Sequence, residues 1–348
     1  MKRVRKRKVP TIGKKRRLRK GKRTKKTVRA RKKLITNQPF TAQNIDRMLD
    51  ESYDKGYKAG YGAGALASTD QVSYERGYDD GYKKGLYNGG DGIVDSLLPL
   101  DIILPEVPVS EIIAAGIEQF RHRFYTLQTT QEVAEQISSA LDAKQPFSLV
   151  RLGDGELLTL AQETVLSIDQ VRKEGSFLPY AGVNIPDIAA RDLLVSAIKQ
   201  ATVVGIPKLR NATYQPLAFQ VFRAHGIDYQ SLRLTHSLVN YYFSQEGWLS
   251  KLLNGRKVLL VGNVGPALAG VMSGHGVRVA GVVAPVDGVR DIPRVMEEIK
   301  PRTFDIALVA AGVAAVVISQ RIATELGKVA IDFGHLADSL AKRKEPFR

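Results

Sequence analysis

Two acids two positions apart, Asp154 and Glu156, stand in the run Ser148-Leu149-Val150-Arg151-Leu152-Gly153-Asp154-Gly155-Glu156-Leu157. An apolar strand over Phe147–Leu152 stops at Gly153, and the helix formers from Leu157 onward resume a helical spacing, so both acids fall at a strand-to-helix junction. In an extended or turn segment, positions two apart project to one side, so the two carboxylates are expected to face one cation. Gly153 and Gly155 beside them let a ligand approach the backbone. Hard oxygen donors of this kind suit Mg or Mn, which take one or two carboxylates and fill the remaining positions with phosphate oxygens and water.

Other residues with chemical potential fall at comparable places. Val258-Leu259-Leu260-Val261-Gly262-Asn263-Val264-Gly265-Pro266 reads as a strand, a glycine turn and a helix start. Gly262, Asn263 and Gly265 are there either to face a phosphate with backbone N–H groups or to make a structural turn, and Pro266 removes one donor. Arg151, Lys208 and Arg210 are placed to neutralise a diphosphate, or are solvated surface charges. His236 and His335 each stand near a strand end. His335, three residues after Asp332, is the stronger candidate for a third metal ligand or an acceptor-orienting group. Asp332, Asp287 and Glu246 are the candidates for a general base.

The elements that must position these side chains alternate between helix and strand. Helical patterns cover 111–124, 130–143, 188–200, 217–225, 248–253, 292–300 and 314–326. Short β-branched runs cover 147–152, 202–206, 257–262, 277–284, 305–310 and 329–332, and 231–242 reads as strand and loop. This alternation predicts an α/β fold, a Rossmann-like and largely parallel sheet with helices on both faces. Ligands of such folds bind at the carboxyl ends of the strands, where Asp154, Lys208, Asn263, Asp287, Gly312 and Asp332 are expected.

The chain is uneven in charge. Of its 52 Lys and Arg, 20 lie in residues 1–33, which hold no Asp or Glu, so the remainder carries 32 bases against 35 acids. The net +17 is therefore the property of an arm. Residues 1–35 are too polar to fold alone and are suited to polyanions, though no aromatic residues punctuate them to stack bases. Residues 36–92 hold a repeat: Tyr53, Tyr57 and Tyr61 with Gly56, Gly60 and Gly64, then Tyr74, Tyr78 and Tyr82 with Gly77, Gly81 and Gly85. As helices these sets form a tyrosine stripe beside a glycine stripe, and residues 50–88 are expected to self-associate or dock; as a spacer they only tether. A connector and leading helix fill 93–124, and the α/β domain runs over 125–348. The chain has no cysteine, which excludes disulfides, a thiolate nucleophile and Cys-based zinc sites. With no long apolar run, the sequence predicts a cytoplasmic protein that sits at most peripherally on an anionic surface.

Arg151-Leu152-Gly153-Asp154-Gly155-Glu156 resembles the Arg-Phe-Gly-Asp-Gly-Glu motif of the GT-D fold glycosyltransferases, a family once catalogued as a domain of unknown function. Leu152 replaces the phenylalanine. Lesser likenesses follow at Gly205-Ile206-Pro207, Thr235-His236, Val261-Gly262-Asn263, Ala284-Pro285 and Asp332-Phe333-Gly334-His335, so that the similarity spans about 125–340. The chain departs from the family at Ala310-Ala311-Gly312-Val313, where Leu-Gly-Pro-Thr is usual, and at Val239-Asn240-Tyr241-Tyr242, which lacks an Arg-Pro-Tyr. The resemblance implies a metal-dependent transferase that moves a sugar from a nucleoside diphosphate sugar, a UDP-sugar by expectation, to a hydroxyl of a glycan or glycoprotein. Asp154 and Glu156 would be its metal site. Two rivals stand beside it: a methyltransferase using the Gly262 turn, and a polyanion-binding protein in which the α/β body is only a scaffold.

Overall fold

The computed structural model describes residues 71–345 and residue 347. The basic arm and the first Tyr/Gly set lie outside the described residues. The chain divides into two compact units, Met1–Phe124 and Tyr125–Arg348. No helix among the described residues is long and apolar enough to cross a membrane.

In the first unit the second Tyr/Gly set falls within a helix, Gln71–Gly89, followed by helices Asp91–Leu97 and Val109–Gln119. A Cβ added at Gly77, Gly85 or Gly89 would meet nothing within 4 Å among the described residues. Neither of the two shorter helices has a buried residue, and Leu100, Ile103, Ile113 and Phe120 are exposed.

The second unit is built on seven parallel strands: β1 (Phe147–Arg151), β2 (Val203–Ile206), β3 (Leu234–His236), β4 (Lys257–Val261), β5 (Arg278–Val283), β6 (Ile306–Val309) and β7 (Val329–Asp332). Their order is β3-β2-β1-β7-β6-β4-β5. Six of the seven are buried along their whole length or all but one residue of it, and burial on both faces is why the five longer ones among them read as largely Val, Ile and Leu runs. Alternate residues feed two cores. Val150, Val204, Leu259, Ala307 and Ala330 pack with helices Asp154–Ala161, Ile188–Gln200, Gln215–Ala224, Ile292–Ile299 and Ala314–Leu326. Leu149, Val203, Leu260, Leu308 and Ile331 pack with helices Thr130–Asp142, Val239–Gln245, Trp248–Leu253, Gly265–Gly274 and Leu336–Ala341.

Most elements stand within two residues of their expected places. Helix Val239–Gln245 occupies what the sequence reads as strand and loop, and helices Ile168–Glu174 and Leu336–Ala341 were not expected. Each is only 6 or 7 residues long, too short to display a full helical period. The chain leaves β1 toward β2 and β3 on one side, while β4, β5 and β6 lie on the other. The β1–β7 pair is therefore the seam between the halves, and the crevice at its carboxyl end is where a ligand of such a sheet is expected.

Candidate active site at the β1–β7 seam

Arg151 and Asp332 end the two central strands and tie them together. The Arg151 Nε donates to the Asp332 carbonyl (2.8 Å), Nη2 to Asp332 Oδ1 (2.9 Å), and the Arg151 backbone N–H to Asp332 Oδ2 (3.1 Å). The remaining nitrogen, Nη1, reaches the Ser237 carbonyl (3.0 Å) and Asn240 Oδ1 (3.3 Å), while Asn240 Nδ2 donates to the Phe333 carbonyl (2.8 Å). One guanidinium thus fastens β1, β7 and the exit of β3. Gly334, at φ 51°, is where the chain turns past it, and a Cβ there would run into the guanidinium. The sequence reading assigns Arg151 to a diphosphate and Asp332 to proton abstraction. In the structure both are engaged with each other, and Asp332 is 4% exposed. Burial raises the Asp332 pKa in spite of Arg151.

Asp154 and Glu156 lie beside this pair, but not by strand alternation. The helix begins at Asp154 itself, so residues two apart are turned about 200° around its axis and the extended-segment argument does not apply. Backbone hydrogen bonds fix each carboxylate instead. Glu156 folds back so that Oε2 accepts from the Gly153 N–H (2.8 Å), and Asp154 Oδ1 accepts from the Gly155 N–H (3.0 Å), which places both at the first turn. The Tyr214 hydroxyl, at the start of the helix after β2, donates to Asp154 Oδ2 (3.3 Å). The Glu156 pKa is pushed up to about 7 by burial and then by the charge of Asp332, against the Gly153 hydrogen bond and Arg151. Burial, and then Asp154, raise that of Tyr214.

The other expected site residues separate into three groups. Lys208 is exposed on the loop after β2 and acts on His236, whose pKa is lowered by burial and by that lysine. His236 Nδ1 is buried without a hydrogen-bond partner among the described residues, and its ring packs edge-on against Tyr242. Asn263 is committed to the backbone of Val286, accepting from its N–H (2.7 Å) and donating to its carbonyl (3.3 Å). Gly262 and Gly265 answer to packing: a Cβ at Gly262 would strike the Ala310 carbonyl, and one at Gly265 would come within 2.7 Å of Val282. His335 is exposed at the N-cap of the last helix. Of the candidate bases, Asp287 is exposed on the loop after β5, and Glu246 is exposed at the far end of the helix that follows β3.

Sequence reasoning missed Tyr214, Ser237, Asn240 and a strap over 175–186. The strap crosses the carboxyl edge, where the Ala181 carbonyl accepts from Val313 N–H (3.1 Å) and the Gly182 carbonyl from Val289 N–H (3.1 Å). Phe177 on it comes within 3.6 Å of where a Cβ on Gly155 would be. Gly182 and Gly288 abut backbone to backbone, which their positive φ angles and missing Cβ atoms allow. None of these residues belongs to a periodic pattern, so only the fold assembles them. A separate cleft of 480 Å³, lined by Glu132, Glu135, Phe147, Thr202 and Arg233, lies at the amino-terminal ends of β1 and β2, away from this chemistry.

The donor set at Asp154 and Glu156 consists of carboxylate oxygens, which suits Mn or Mg rather than a softer metal. A cation also fits the electrostatics, because it would relieve the penalty that lifts Glu156 to about 7. No group of three or more His, Asp and Glu is arranged to hold a metal among the described residues, so His335 does not join the two acids.

A search of curated proteins returns no match. Among solved structures, one described as a selenomethionine-substituted structure of domain of unknown function 1792 is similar at 17% identity, over 62% of this chain and 85% of that one, with a TM-score of 0.38. The model of the GT-D fold-like domain family matches residues 128–340, from the bridge residue beside β3 to the last helix. That span holds the whole sheet and every residue of the seam, and on it the chain belongs to the GT-D-like family.

Proposed function

We propose that this protein is a metal-dependent glycosyltransferase that moves a sugar from a nucleoside diphosphate sugar, preferentially a UDP-sugar, to a hydroxyl of a glycan or glycoprotein. Membership of the GT-D-like family implies glycosyl transfer in general. The observation that supports the finer reading is the pair of capping carboxylates, Asp154 and Glu156, at the carboxyl end of the central strand.

In the reaction the acceptor oxygen forms a bond to the anomeric carbon. The bond from that carbon to the diphosphate oxygen breaks, its electron pair leaving with the nucleoside diphosphate, and the acceptor proton passes to a base. A cation held by Asp154 and Glu156 would supply charge stabilisation for the departing diphosphate. The chain's own residues do the rest. Tyr214 orients Asp154, the Gly153 N–H orients Glu156, and Arg151 with Asp332 keeps the two central strand ends in register beneath them. Asp332 has both oxygens occupied by Arg151, and Glu246 stands at the far end of helix Val239–Gln245, about 10 Å along its axis from the residues that follow β3. Asp287 is therefore the most accessible of the three candidate bases on this face. The methyltransferase reading loses its support, since Gly262 and Gly265 are accounted for by Ala310 and Val282.

The test is release of nucleoside diphosphate from a panel of nucleotide sugars with Mn, with Mg and with chelator. Asp154→Asn is expected to lose at least about a hundredfold in metal-dependent turnover with its thermal midpoint retained. Full turnover in chelator, or in that variant, would overturn the reading.

A further inference from the structure

Of the three cations that the sequence offers to a diphosphate, Arg151 is taken by Asp332 and Arg210 donates to Gln215 Oε1 (2.9 Å). Lys208 Nζ pairs with no acid among the described residues. Its backbone is fixed, since Gln215 donates its N–H to the Leu209 carbonyl (3.0 Å) and its Nε2 to the Lys208 carbonyl (3.3 Å). The same loop carries Tyr214, which reaches Asp154. His236 stands across the β2–β3 pair, in register with Ile206. Arg151, Gly205 and Thr235 form one row over β1, β2 and β3, and a Cβ on Gly205 would come within 3.1 Å of both the Arg151 side chain and the His236 carbonyl. Leu234 shares a core with helices Asp154–Ala161 and Gln215–Ala224, so His236, two residues on, faces the side of the sheet that carries both. His236 also has a defined polarity. Nδ1 is buried without a partner among the described residues, while the ring, met edge-on by Tyr242 at 5.6 Å, is only half-buried. A proton on Nδ1 would be stranded, so the neutral ring carries it on Nε2. Burial and then Lys208 oppose a second proton. The pair thus offers one ammonium and one neutral N–H donor, a combination suited to an oxyanion.

We propose that Lys208 Nζ and His236 Nε2–H form a phosphate subsite beside the two carboxylates, and that it takes the donor phosphate that carries the nucleoside. The sugar-bearing phosphate, on which charge develops as the anomeric bond breaks, then lies over β1 at Asp154 and Glu156, and the nucleoside extends over β3. This deepens the glycosyltransferase reading and rests on it. A phosphorylated acceptor would present the same chemistry. The donor is favoured because β2, which leads to Lys208, lies one strand spacing, about 5 Å, from the strand that leads to the carboxylates. That is where the second phosphate of a diphosphate goes when the first is at the cation.

The test measures equilibrium binding of the four ribonucleoside monophosphates to the full chain in chelator, since each carries only the nucleoside-bearing phosphate. At least one is expected to bind, and its Kd to rise at least about tenfold in Lys208→Met and in His236→Phe, the loss of one charge-assisted hydrogen bond. His236→Gln, which keeps an N–H donor at the ε position, is expected to recover most of the affinity, with thermal midpoints showing that all three variants fold. In long-range proton–nitrogen NMR spectra the His236 ring, identified by its absence from His236→Phe, is expected as the Nε2–H tautomer, with that nitrogen shifting when the nucleotide binds. An Nδ1–H tautomer, no monophosphate bound by the wild type, or a Kd unaltered in Lys208→Met and His236→Phe overturns the subsite. Sugar 1-phosphates bound more tightly than any nucleoside monophosphate would give it to an acceptor and overturn its assignment to the donor. Monophosphate binding that depends on both residues, without transfer or hydrolysis of any nucleotide sugar, would instead overturn the transferase reading and leave the subsite standing.

Discussion

At the scale of single residues, one arginine acts on a buried acid, Asp332, and on a half-buried one, Glu156. Arg151 holds Asp332 by its side chain and its backbone, and burial, followed by the charge of Asp332, pushes the Glu156 pKa up to about 7. An unfolded glutamate ionises near 4.5, so between 4.5 and 7 the folded state keeps a proton that the unfolded state has lost. Stability from this group therefore falls as pH rises through that window and stays low above it. The raised Asp332 acts in the same direction. Thermal midpoints measured from pH 4.5 to 8 are expected to decline more in the wild type than in Glu156→Gln, and Mn is expected to reduce the decline. A parallel decline in both proteins would show that Glu156 is not the titrating group. Arg151→Met is expected to cost about 3–5 kcal/mol in chemical denaturation, because it strands a buried carboxyl. Arg151→Lys should recover only part of this, since one ammonium cannot reach Asp332, Ser237 and Asn240 together.

Among the elements, the decisive feature is where the strands stop. Each of β1, β4 and β7 stops one or two residues before a glycine, and after β4 and β7 the end of a neighbouring strand fills the space a Cβ would take. Gly334 has φ 51° and faces the Arg151 guanidinium; Gly262 faces Ala310. Gly334→Ala is expected to lose about 1–2 kcal/mol from the left-handed backbone alone, and more from displacing Arg151. Donor turnover should fall with it, because the seam beneath Asp154 and Glu156 would be disturbed. A variant with wild-type denaturation and turnover would mean that Arg151 is not held against this turn. Helix Gln71–Gly89 presents the opposite situation, since Gly77, Gly85 and Gly89 have nothing upon them among the described residues.

On the scale of the whole molecule, charge and chemistry are carried by different parts. The family match begins at residue 128, and all the residues assigned to the site follow it. Removal of residues 1–35 is expected to abolish retention on heparin at low salt and to leave donor turnover within about twofold, since polyanion attraction is a matter of net charge. A truncated protein that still binds heparin as tightly would place the binding in the domain. We also propose that residues 50–88 self-associate. Sedimentation of the full chain and of a chain lacking residues 36–92 would test this, and an identical monomeric profile for both would exclude it.

Helix and strand order, the parallel sheet and the acidic turn after the first strand were legible in the linear chain. Buried β-strands leave unbroken Val and Ile runs, longer helices repeat their apolar face several times, and Gly-Asp-Gly-Glu interrupts both patterns. What Arg151 and Asp332 do was not legible. They lie 181 positions apart, and only the adjacency of β1 and β7 turns an expected phosphate ligand and an expected base into one buried ion pair. Nor could the chain alone show that the helix starts at Asp154, so that hydrogen bonds to Gly153 and Gly155, rather than strand alternation, fix the two carboxylates at its first turn. The strap and Tyr214 were hidden for the same reason. Local sequence sets local conformation, whereas a site assembled from loops at several strand ends exists only once the sheet has set their order.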